Sequence, residues 1–203
     1  TLRQYRNYAN LAESYSTIPS RFLAITHGVS AVGKSHVAMR LVEALGAVRL
    51  RSDVERKRLF GEQQVENTLQ AGIYNQDASA ATYARLNEIA DTVLRAGYPV
   101  VLDATFLKRA QRDAAAQVAE ATGAPFLILD CNAPQAVITS WLAQRQADKN
   151  DPSDATLAVI EEQQASRDPL TAEELLLSKR VETNESGTLD ALVGHIRQHL
   201  PGL

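Results

Sequence analysis

The sequence predicts an α/β fold in which a parallel β-sheet is covered by helices on both faces. Short apolar runs alternate along the chain with longer segments of helical periodicity, an order typical of strands joined by crossover helices. A glycine-rich segment also joins the first apolar run, residues 22–26, to the first helical segment, and anion-binding loops occupy this place in α/β proteins. A chain of 203 residues with 45% hydrophobic residues is long enough to bury one such core.

The glycine-rich segment, Gly28 to Ser35, fits the phosphate-binding loop pattern G-x-x-x-x-G-K-[ST] in full. Glycine at its first and sixth positions lets backbone N–H groups turn inward around a polyphosphate, and the following helix points its positive N-terminal end at the same anion. The lysine supplies a mobile cation for the β- and γ-phosphates, and the serine hydroxyl ligates Mg²⁺. The predicted nucleotide-binding residues here are Gly28, Val29, Ser30, Ala31, Val32, Gly33, Lys34, Ser35 and His36.

The second and third apolar runs both lead to an acidic residue. The second run, residues 47–51, is followed by Asp53, and the third, residues 98–103, ends at Asp103. Because ligands of open α/β sheets bind beyond the carboxyl ends of the strands, we expect both carboxylates to face the phosphate-binding loop. A carboxylate at the end of a buried strand commonly holds Mg²⁺ through water, so Ser35 and Asp103 are the predicted metal-binding residues.

Asp53 has two predicted roles that are compatible with each other. It precedes a short helical segment, residues 54–60, and an aspartate in this place commonly caps the helix. Beside a polyphosphate it can also accept a proton from an acceptor hydroxyl. Arg56, one turn later, is expected to face the same crevice. The other basic residues of this stretch are predicted to be solvated or helix-surface charges, namely Arg49, Arg51, Lys57 and Arg58.

Two segments interrupt the alternation of strands and helices. Residues 62–75 are polar and are interpreted as a mobile crossing segment or a substrate-side flap. Residues 143–154 form a charged, proline-marked break between two helical segments, which is typical of a lid over a triphosphate. Arg145 and Lys149 in this lid are predicted nucleotide ligands, and Arg145 is also a predicted catalytic residue. For Lys149 an ordinary solvated surface charge is an equal alternative.

The composition excludes several classes of protein. A net charge of −3 and an isoelectric point near 5.8 argue against a dedicated binder of long nucleic acid. No apolar run approaches the ~18 residues of a membrane span. The single cysteine, Cys131, cannot form an internal disulfide, which favours the reducing cytoplasm, and we expect it to be a small buried hydrophobe in the fourth strand.

The last third of the chain is expected to complete the domain. Residues 180–184 predict a fifth, weaker strand, and residues 189–200 predict a closing helix. Residues 1–20 are polar with near-helical apolar spacing, and are interpreted as a helix or linker at the end of an upstream domain. A processed terminus that packs on its own core is the alternative. Residues 21–203 are then one domain.

Four stretches of the chain are particular enough to compare with known families, THGVSAVGKS (26–35), VRLRSDVERKRLFG (48–61), YPVVLDATFLKRAQRDA (98–114) and PFLILDCNAP (125–134). With the residues above assembled, the chain resembles the P-loop small kinases, a group that includes phage polynucleotide 5′-kinase, chloramphenicol phosphotransferase, gluconate kinase and the zeta-toxin sugar-nucleotide kinases. The four stretches carry a closer resemblance, to the bacterial kinase domain predicted behind an aminoglycoside-phosphotransferase-like domain, and the similarity extends from about Ala24 to Asn184.

This resemblance implies a P-loop three-layer sandwich with five parallel strands in the order 2-3-1-4-5, a helical lid around residues 143–154, ATP as phosphate donor and Mg²⁺. The roles it implies are general base for Asp53, acceptor-side arginine for Arg56, strand-end acid for Asp103 and first lid arginine for Arg145. Lids of this group often carry a second arginine four residues after the first, where this chain has Lys149. Lysine cannot clamp a phosphate with two parallel hydrogen bonds, which weakens the lid's expected share of catalysis.

The residues and the resemblance together predict a cytoplasmic kinase that moves the γ-phosphate of ATP, or of GTP, to a hydroxyl of a small molecule. The predicted catalytic residues are Lys34, Asp53, Arg56 and Arg145. Two alternatives stay open: a nucleotide-binding module that regulates an upstream aminoglycoside-phosphotransferase-like domain, and a nucleic-acid 5′-end kinase, which the net charge disfavours. The acceptor and the preferred base are not readable from this sequence.

Overall fold

Five parallel strands form the central sheet of the protein, in the order β2-β3-β1-β4-β5. The computed structural model describes residues 2, 4–6, 8–9, 20–61, 72–147, 156–185 and 187–199, excluding the side chains of residues 72–76 and 145–147. The strands are β1 (Leu23–His27), β2 (Val48–Arg51), β3 (Val100–Asp103), β4 (Phe126–Asn132) and β5 (Ser178–Glu182). The helices are α1 (Lys34–Leu45), α2 (Ser52–Phe60), α3 (Gly72–Arg95), α4 (Arg109–Thr122), α5 (Gln135–Ala147), α6 (Leu157–Ser166), α7 (Ala172–Leu176) and α8 (Thr188–His199).

The predicted three-layer architecture and strand order are confirmed. Successive residues of a strand point to opposite faces of a sheet, so β1 supplies both halves of the core. Leu23 and Ile25 join the cluster that α3 and α4 cover, whereas Phe22 and Ala24 join the cluster that α1 and α8 cover. All four residues are fully buried. The first three residues of β1 are apolar and all five are buried, as expected for a parallel strand that is covered on both faces.

Several boundaries differ from the sequence prediction. Helix α3 begins at Gly72, within the segment that was predicted to be a flap. Strand β5 begins and ends two residues earlier than expected, at Ser178 and Glu182, and it follows a short helix, α7, that periodicity did not reveal. A five-residue helix is too short for a recognisable apolar repeat, and it is set instead by the Thr171 and Glu174 capping box.

The prediction that Asp53 caps the second helix is wrong. Helix α2 begins at Ser52, so Asp53 lies inside its first turn, and the N-cap position belongs to Arg51, whose side chain makes no capping hydrogen bond. An aspartate in the first turn still interacts favourably with the helix dipole. The Asp53 carboxylate is thus not engaged in capping.

Parts of the two predicted mobile segments lie outside the described residues. The lid prediction covers residues 143–154, of which residues 148–154, with Lys149, are not described. Arg145 lies on α5 by its backbone, and its side chain is not described. Among the first 20 residues the described positions are helical up to residue 9. Across the described ranges, no helix has the length and apolar character needed to cross a bilayer.

A buried arginine ties α4 to the chain that leads into the fifth strand. Arg112, 1% exposed, donates from Nε to Oε1 of Glu174 at 2.5 Å and from Nη2 to Oε2 at 3.0 Å. Its remaining donors reach the backbone carbonyls of Phe106, Leu107, Asp168 and Pro169. Burial by itself raises the pKa of Glu174, but the hydrogen bonds from Arg112 and Thr171 outweigh it and the pKa lies below its usual 4.5.

We expect Glu174→Gln to lower the free energy of unfolding by about 2 kcal/mol at pH 7, because Arg112 loses its charged partner. A depressed carboxyl pKa stabilises the fold above the unfolded-state pKa, and this contribution disappears as the pH falls through the folded-state pKa. The difference from wild type in urea unfolding should therefore shrink as the pH is lowered below 4.5. The exposed Glu161→Gln on α6 is the control, and a pH-independent difference would contradict the assignment.

Candidate functional site

An open cleft lies at the carboxyl edge of the sheet, between the loop that follows β1 and the ends of β2 and β3. It has a volume of about 450 Å³, including the solvent at its mouth. Carboxyl edges are where open α/β sheets bind ligands, and the cleft brings together seven of the fourteen predicted site residues. The lining residues are Ser30, Ala31, Gly33, Lys34, Ser35, Arg51, Asp53, Asp103, Ala104 and Thr105.

The loop between β1 and α1 packs closely against the ends of β4 and β5. Gly28 has a φ of 140°, and a Cβ added there would lie 2.7 Å from the carbonyl oxygen of Cys131. Gly33 has a φ of 90°, and its Cβ would lie 2.9 Å from Cβ of Thr183. Thr183 Oγ1 also donates to the carbonyl oxygen of Val32 at 2.7 Å. Both glycines of the motif are therefore required by geometry as well as by φ.

The lysine of the motif is buried and folded back on its own loop. Lys34 is 9% exposed, and its Nζ donates to the carbonyl oxygen of Val29 at 2.5 Å. Gly28 is held by a backbone hydrogen bond from its N–H to the carbonyl oxygen of Thr105, just after β3. His36, a predicted nucleotide ligand, is exposed and is not among the cleft-lining residues.

Asp103 at the end of β3 is the centre of a charged cluster. Ser35 Oγ donates to Oδ2 of Asp103 at 2.9 Å, and Arg49 donates to the same oxygen from Nε at 2.9 Å and also from Nη2. Arg51 Nε lies 3.9 Å from that oxygen as well. Serine hydroxyl and carboxylate are oxygen ligands that suit Mg²⁺, which commonly takes one or two protein ligands together with water and phosphate. Ser35 and Asp103 thus fit a magnesium ion, and across the described residues no cluster of three or more His, Cys, Asp or Glu side chains suggests another metal centre.

The prediction that Arg49 and Arg51 are solvated surface charges is wrong. Their side chains are 16% and 27% exposed, and both approach Asp103. The reason is the register of the edge strand, in which Arg51 is paired with Asp103 and Arg49 with Val101. Residues two apart share a face of the sheet, so both arginines lie alongside β3. Nε of Arg51 is buried and has no hydrogen-bond partner within the described part of the chain.

Asp53 lies in the same cleft as Lys34 and Ser35. Its Oδ2 is 3.9 Å from Nη2 of Arg51, and 45% of its side chain is exposed. Although the carboxylate reaches solvent through the mouth of the cleft, the surrounding walls desolvate it, and this burial raises its pKa above the usual 3.8. Arg51 opposes the shift and Asp103 adds to it. An elevated pKa favours proton uptake by this carboxylate.

Arg56 lies near Asp53 and is not among the residues that line the cleft. Its positive charge acts on both Asp53 and the buried Tyr83, which places it on the Asp53 side of α2. Tyr83 packs edge-on against Phe106, with ring centroids 5.0 Å apart, and its hydroxyl lies 3.0 Å from Oγ1 of the cleft-lining Thr105. Tyr83 is thus a packing residue that supports the cleft wall.

Three further contacts at the site involve residues that the sequence analysis did not assign to it. Thr183 after β5 holds the loop, Arg49 binds the strand-end acid, and Gln163 of α6 bonds to Ser30. Each contact joins residues more than 50 positions apart in the sequence, so no local pattern predicts these contacts. One signal in the sequence could have indicated the role of Arg49. Arg49 and Arg51 are two residues apart on a strand, so they share a face of the sheet, and the strand ends beside an acid.

The fold and the loop together define the class, a P-loop protein with the strand order of the small kinases. The chain belongs to the AAA domain family, whose sequence model matches residues 23–170. Nucleotide binding at the loop of Gly28 to Ser35 is the property that this class shares.

Curated relatives of the chain have no described function. Two uncharacterized proteins, from Mycobacterium tuberculosis (strain H37Rv) and Mycobacterium bovis, are each 28% identical to it over 152 residues. The match covers 72% of this chain and 30% of each relative, so the chain spans about a third of the length of the curated relatives it matches.

Solved structures share the fold at low sequence identity. A protein from Chloroflexus aurantiacus has a TM-score of 0.67 and 20% identity, covering 92% of this chain and 100% of its own. A gluconokinase from Sinorhizobium meliloti has a TM-score of 0.59 and 18% identity, covering 89% and 97%. The Mycobacterium tuberculosis APS kinase CysC, solved with AMPPNP and APS, has a TM-score of 0.60 and 20% identity, covering 88% and 96%.

We expect Gly28→Ala to lower the free energy of unfolding by about 2 kcal/mol or more, because the new Cβ meets a backbone carbonyl at a φ that alanine disfavours. Gly194→Ala is the matched control, since Gly194 lies in α8 with open space where its Cβ would be. That change should stabilise the protein by up to about 1 kcal/mol. Urea unfolding of both variants measures the difference, and equal stabilities would contradict the close approach at Gly28.

Proposed function

We propose that the protein is an ATP- and Mg²⁺-dependent kinase that transfers the γ-phosphate to a hydroxyl group of a small molecule. The observation that carries this proposal is that Asp53, a carboxylate with a raised pKa, lines the same cleft as Lys34 and Ser35 of the phosphate loop. A nucleotide-binding protein without transfer chemistry has no need for such a carboxylate facing the terminal phosphate. The gluconokinase and the APS kinase that share the fold are both kinases of small molecules.

In the proposed reaction the acceptor oxygen attacks the γ-phosphorus, and the bond between that phosphorus and the oxygen bridging to the β-phosphate breaks. Asp53 takes the proton from the acceptor hydroxyl, and ADP leaves with the bridging oxygen. Phosphoryl transfer needs little covalent help from a protein, so the catalytic contribution is alignment and neutralisation of charge. Lys34 would leave the Val29 carbonyl to contact the β- and γ-phosphates, and Arg56 would orient the acceptor.

Ser35 and Asp103 would hold Mg²⁺, which when bound neutralises charge on the β- and γ-phosphates. Arg49 presently shares Oδ2 of Asp103 with Ser35. Arg49 would fix the orientation of the Asp103 carboxylate, and its own charge would add to the positive field around the phosphates. The position of Arg51 between Asp103 and Asp53 suits a contact with an anionic group of either substrate.

The lid residues Arg145 and Lys149 remain predicted ligands of the triphosphate, with Lys149 as a weaker clamp than arginine. The acceptor is proposed to be a small hydroxyl compound, and ATP to be the donor ahead of GTP. A cytoplasmic location and an upstream aminoglycoside-phosphotransferase-like domain also remain predictions. The names of the curated relatives say nothing of such a domain.

Incubation of the protein with γ-labelled ATP, Mg²⁺ and panels of sugars, sugar acids, nucleosides, aminoglycosides and DNA 5′-ends tests the proposal. Label in a small-molecule product, located by mass spectrometry, supports it. Label in a DNA end favours the nucleic-acid kinase. Tight ATP binding with no labelled product in any panel favours the regulatory module instead.

We expect Asp53→Asn to bind AMPPNP within about threefold of wild type and to lose phosphoryl transfer by about 10²- to 10⁴-fold, since asparagine cannot accept the proton. Because the pKa of Asp53 is raised and its ionised form is the active one, wild-type kcat/KM should fall as the pH drops through that pKa, at a pH above 3.8. The residual activity of Asp53→Asn should lack this acid limb. Asp113→Asn, exposed on α4, is the control, and transfer at the wild-type rate by Asp53→Asn would rule out the base.

Lys34→Ala should weaken AMPPNP binding at least about tenfold and reduce turnover further, because the lysine charge is needed most where negative charge develops on the γ-phosphate. Lys57→Ala on α2 removes the same charge outside the cleft and should leave both quantities within about twofold of wild type. Calorimetric titration and steady-state kinetics provide the two measurements. Equal effects of the two substitutions would show that bulk charge, not the loop lysine, governs binding.

A further inference from the structure

The side-chain amide of Gln163, on α6, makes two hydrogen bonds to the phosphate loop. The backbone N–H of Ser30 donates to Oε1 of Gln163 at 2.8 Å, and Nε2 of Gln163 donates to Oγ of Ser30 at 3.1 Å. Ser30 lines the cleft, and backbone N–H groups are the donors with which a loop of this kind binds phosphate. The two residues are 133 positions apart in the sequence.

Helix α6 is held firmly enough for this contact to be a defined feature. Ile160, one turn before Gln163, is fully buried in the same core cluster as Val29, Ala31 and Val32 of the loop. At the other end of α6, Lys108 donates to the carbonyl oxygen of Ser166. Gln163 itself is half-buried. The helix therefore presents this amide to the loop from a packed position on the protein.

An amide oxygen that accepts from a loop N–H does what a phosphate oxygen does in a filled loop. The N–H of Ser30 has one hydrogen, so Gln163 and an anion compete for it. We propose that Gln163 is a further residue of the nucleotide site, which occupies the Ser30 N–H while the loop is empty and yields it to the terminal phosphate. This inference rests on the proposed nucleotide binding.

Glutamine suits both states because its amide carries an acceptor and two donors. In the empty loop Oε1 accepts from Ser30. Once a phosphate oxygen has taken that N–H, Nε2 of the same side chain can keep its hydrogen bond to Ser30 Oγ. Glutamate keeps the acceptor and loses the donors, and its negative charge opposes the incoming phosphate. Alanine removes the competitor altogether.

A competing contact and a merely supporting contact predict opposite changes in nucleotide affinity when Gln163 is removed. If Gln163 competes with the terminal phosphate, its removal tightens nucleotide binding, since the apparent affinity is reduced by the fraction of loops that Gln163 occupies. If Gln163 only keeps the loop ordered, its removal weakens binding. A single hydrogen bond has a net strength that corresponds to roughly a three- to tenfold change in affinity.

Calorimetric titration of the full chain with AMPPNP and with ADP tests the inference on Gln163→Ala and Gln163→Glu. We expect Gln163→Ala to bind AMPPNP about three- to tenfold more tightly than wild type, Gln163→Glu to bind it at least about tenfold more weakly, and both effects to be smaller for ADP. Gln164→Ala and Gln164→Glu are the matched controls. Gln164 is exposed and bonds to Gln135 of α5, and its variants should stay within about twofold of wild type.

Unchanged or weaker AMPPNP binding by Gln163→Ala overturns the inference while leaving the proposed function intact. Failure of the wild-type protein to bind AMPPNP at all overturns the proposed function, and this inference with it. If Gln163→Ala does not fold, a measurement on the wild-type protein tests the inference in its place. The side-chain NH₂ resonances of Gln163 should shift on titration with AMPPNP, and unshifted resonances at saturation overturn the competition.

Discussion

The close approach of backbone segments around the phosphate loop is the constraint on which the rest of the site depends. The loop leaves the central strand β1 and turns beside the ends of β4 and β5, where a side chain at Gly28 would meet a carbonyl oxygen at 2.7 Å. Thr183 holds the other half of the turn, and its methyl and hydroxyl groups fill the space that a side chain at Gly33 would need. The N–H groups of the loop are thereby held in one arrangement, and an anion cradle needs such preorganisation.

A second constraint is the balance of charge in the cleft. Asp53 and Asp103 would repel each other in a poorly solvated space, and the repulsion contributes to the raised pKa of Asp53. Arg49 and Arg51 offset that repulsion because both side chains come from the edge strand beside β3. The cleft therefore holds an internal network of ion pairs, and in the proposed reaction a polyphosphate with its cation would replace part of that network.

Local patterns in the sequence were sufficient to predict the fold and the main parts of the site. The loop from Gly28 to Ser35 was recognisable because its function is performed by backbone and adjacent side chains in one short stretch. Asp103 was recognisable because a buried apolar strand ended in an acid. The capping role assigned to Asp53 was wrong because the helix begins two residues earlier than predicted, and helix ends vary by one or two residues without changing the periodicity.

The sequence by itself determined the order of strands and helices, the phosphate loop and the acids at the strand ends, because each depends on neighbours within one element. Only the tertiary structure decided which distant groups meet there. The burial of Arg49 against Asp103, the support of the loop by Thr183 and the contact of Gln163 with Ser30 all arise from strand register and helix packing. These contacts join residues more than 50 positions apart, and their geometry is fixed by the core that packs the whole chain, a property that no short stretch of sequence contains.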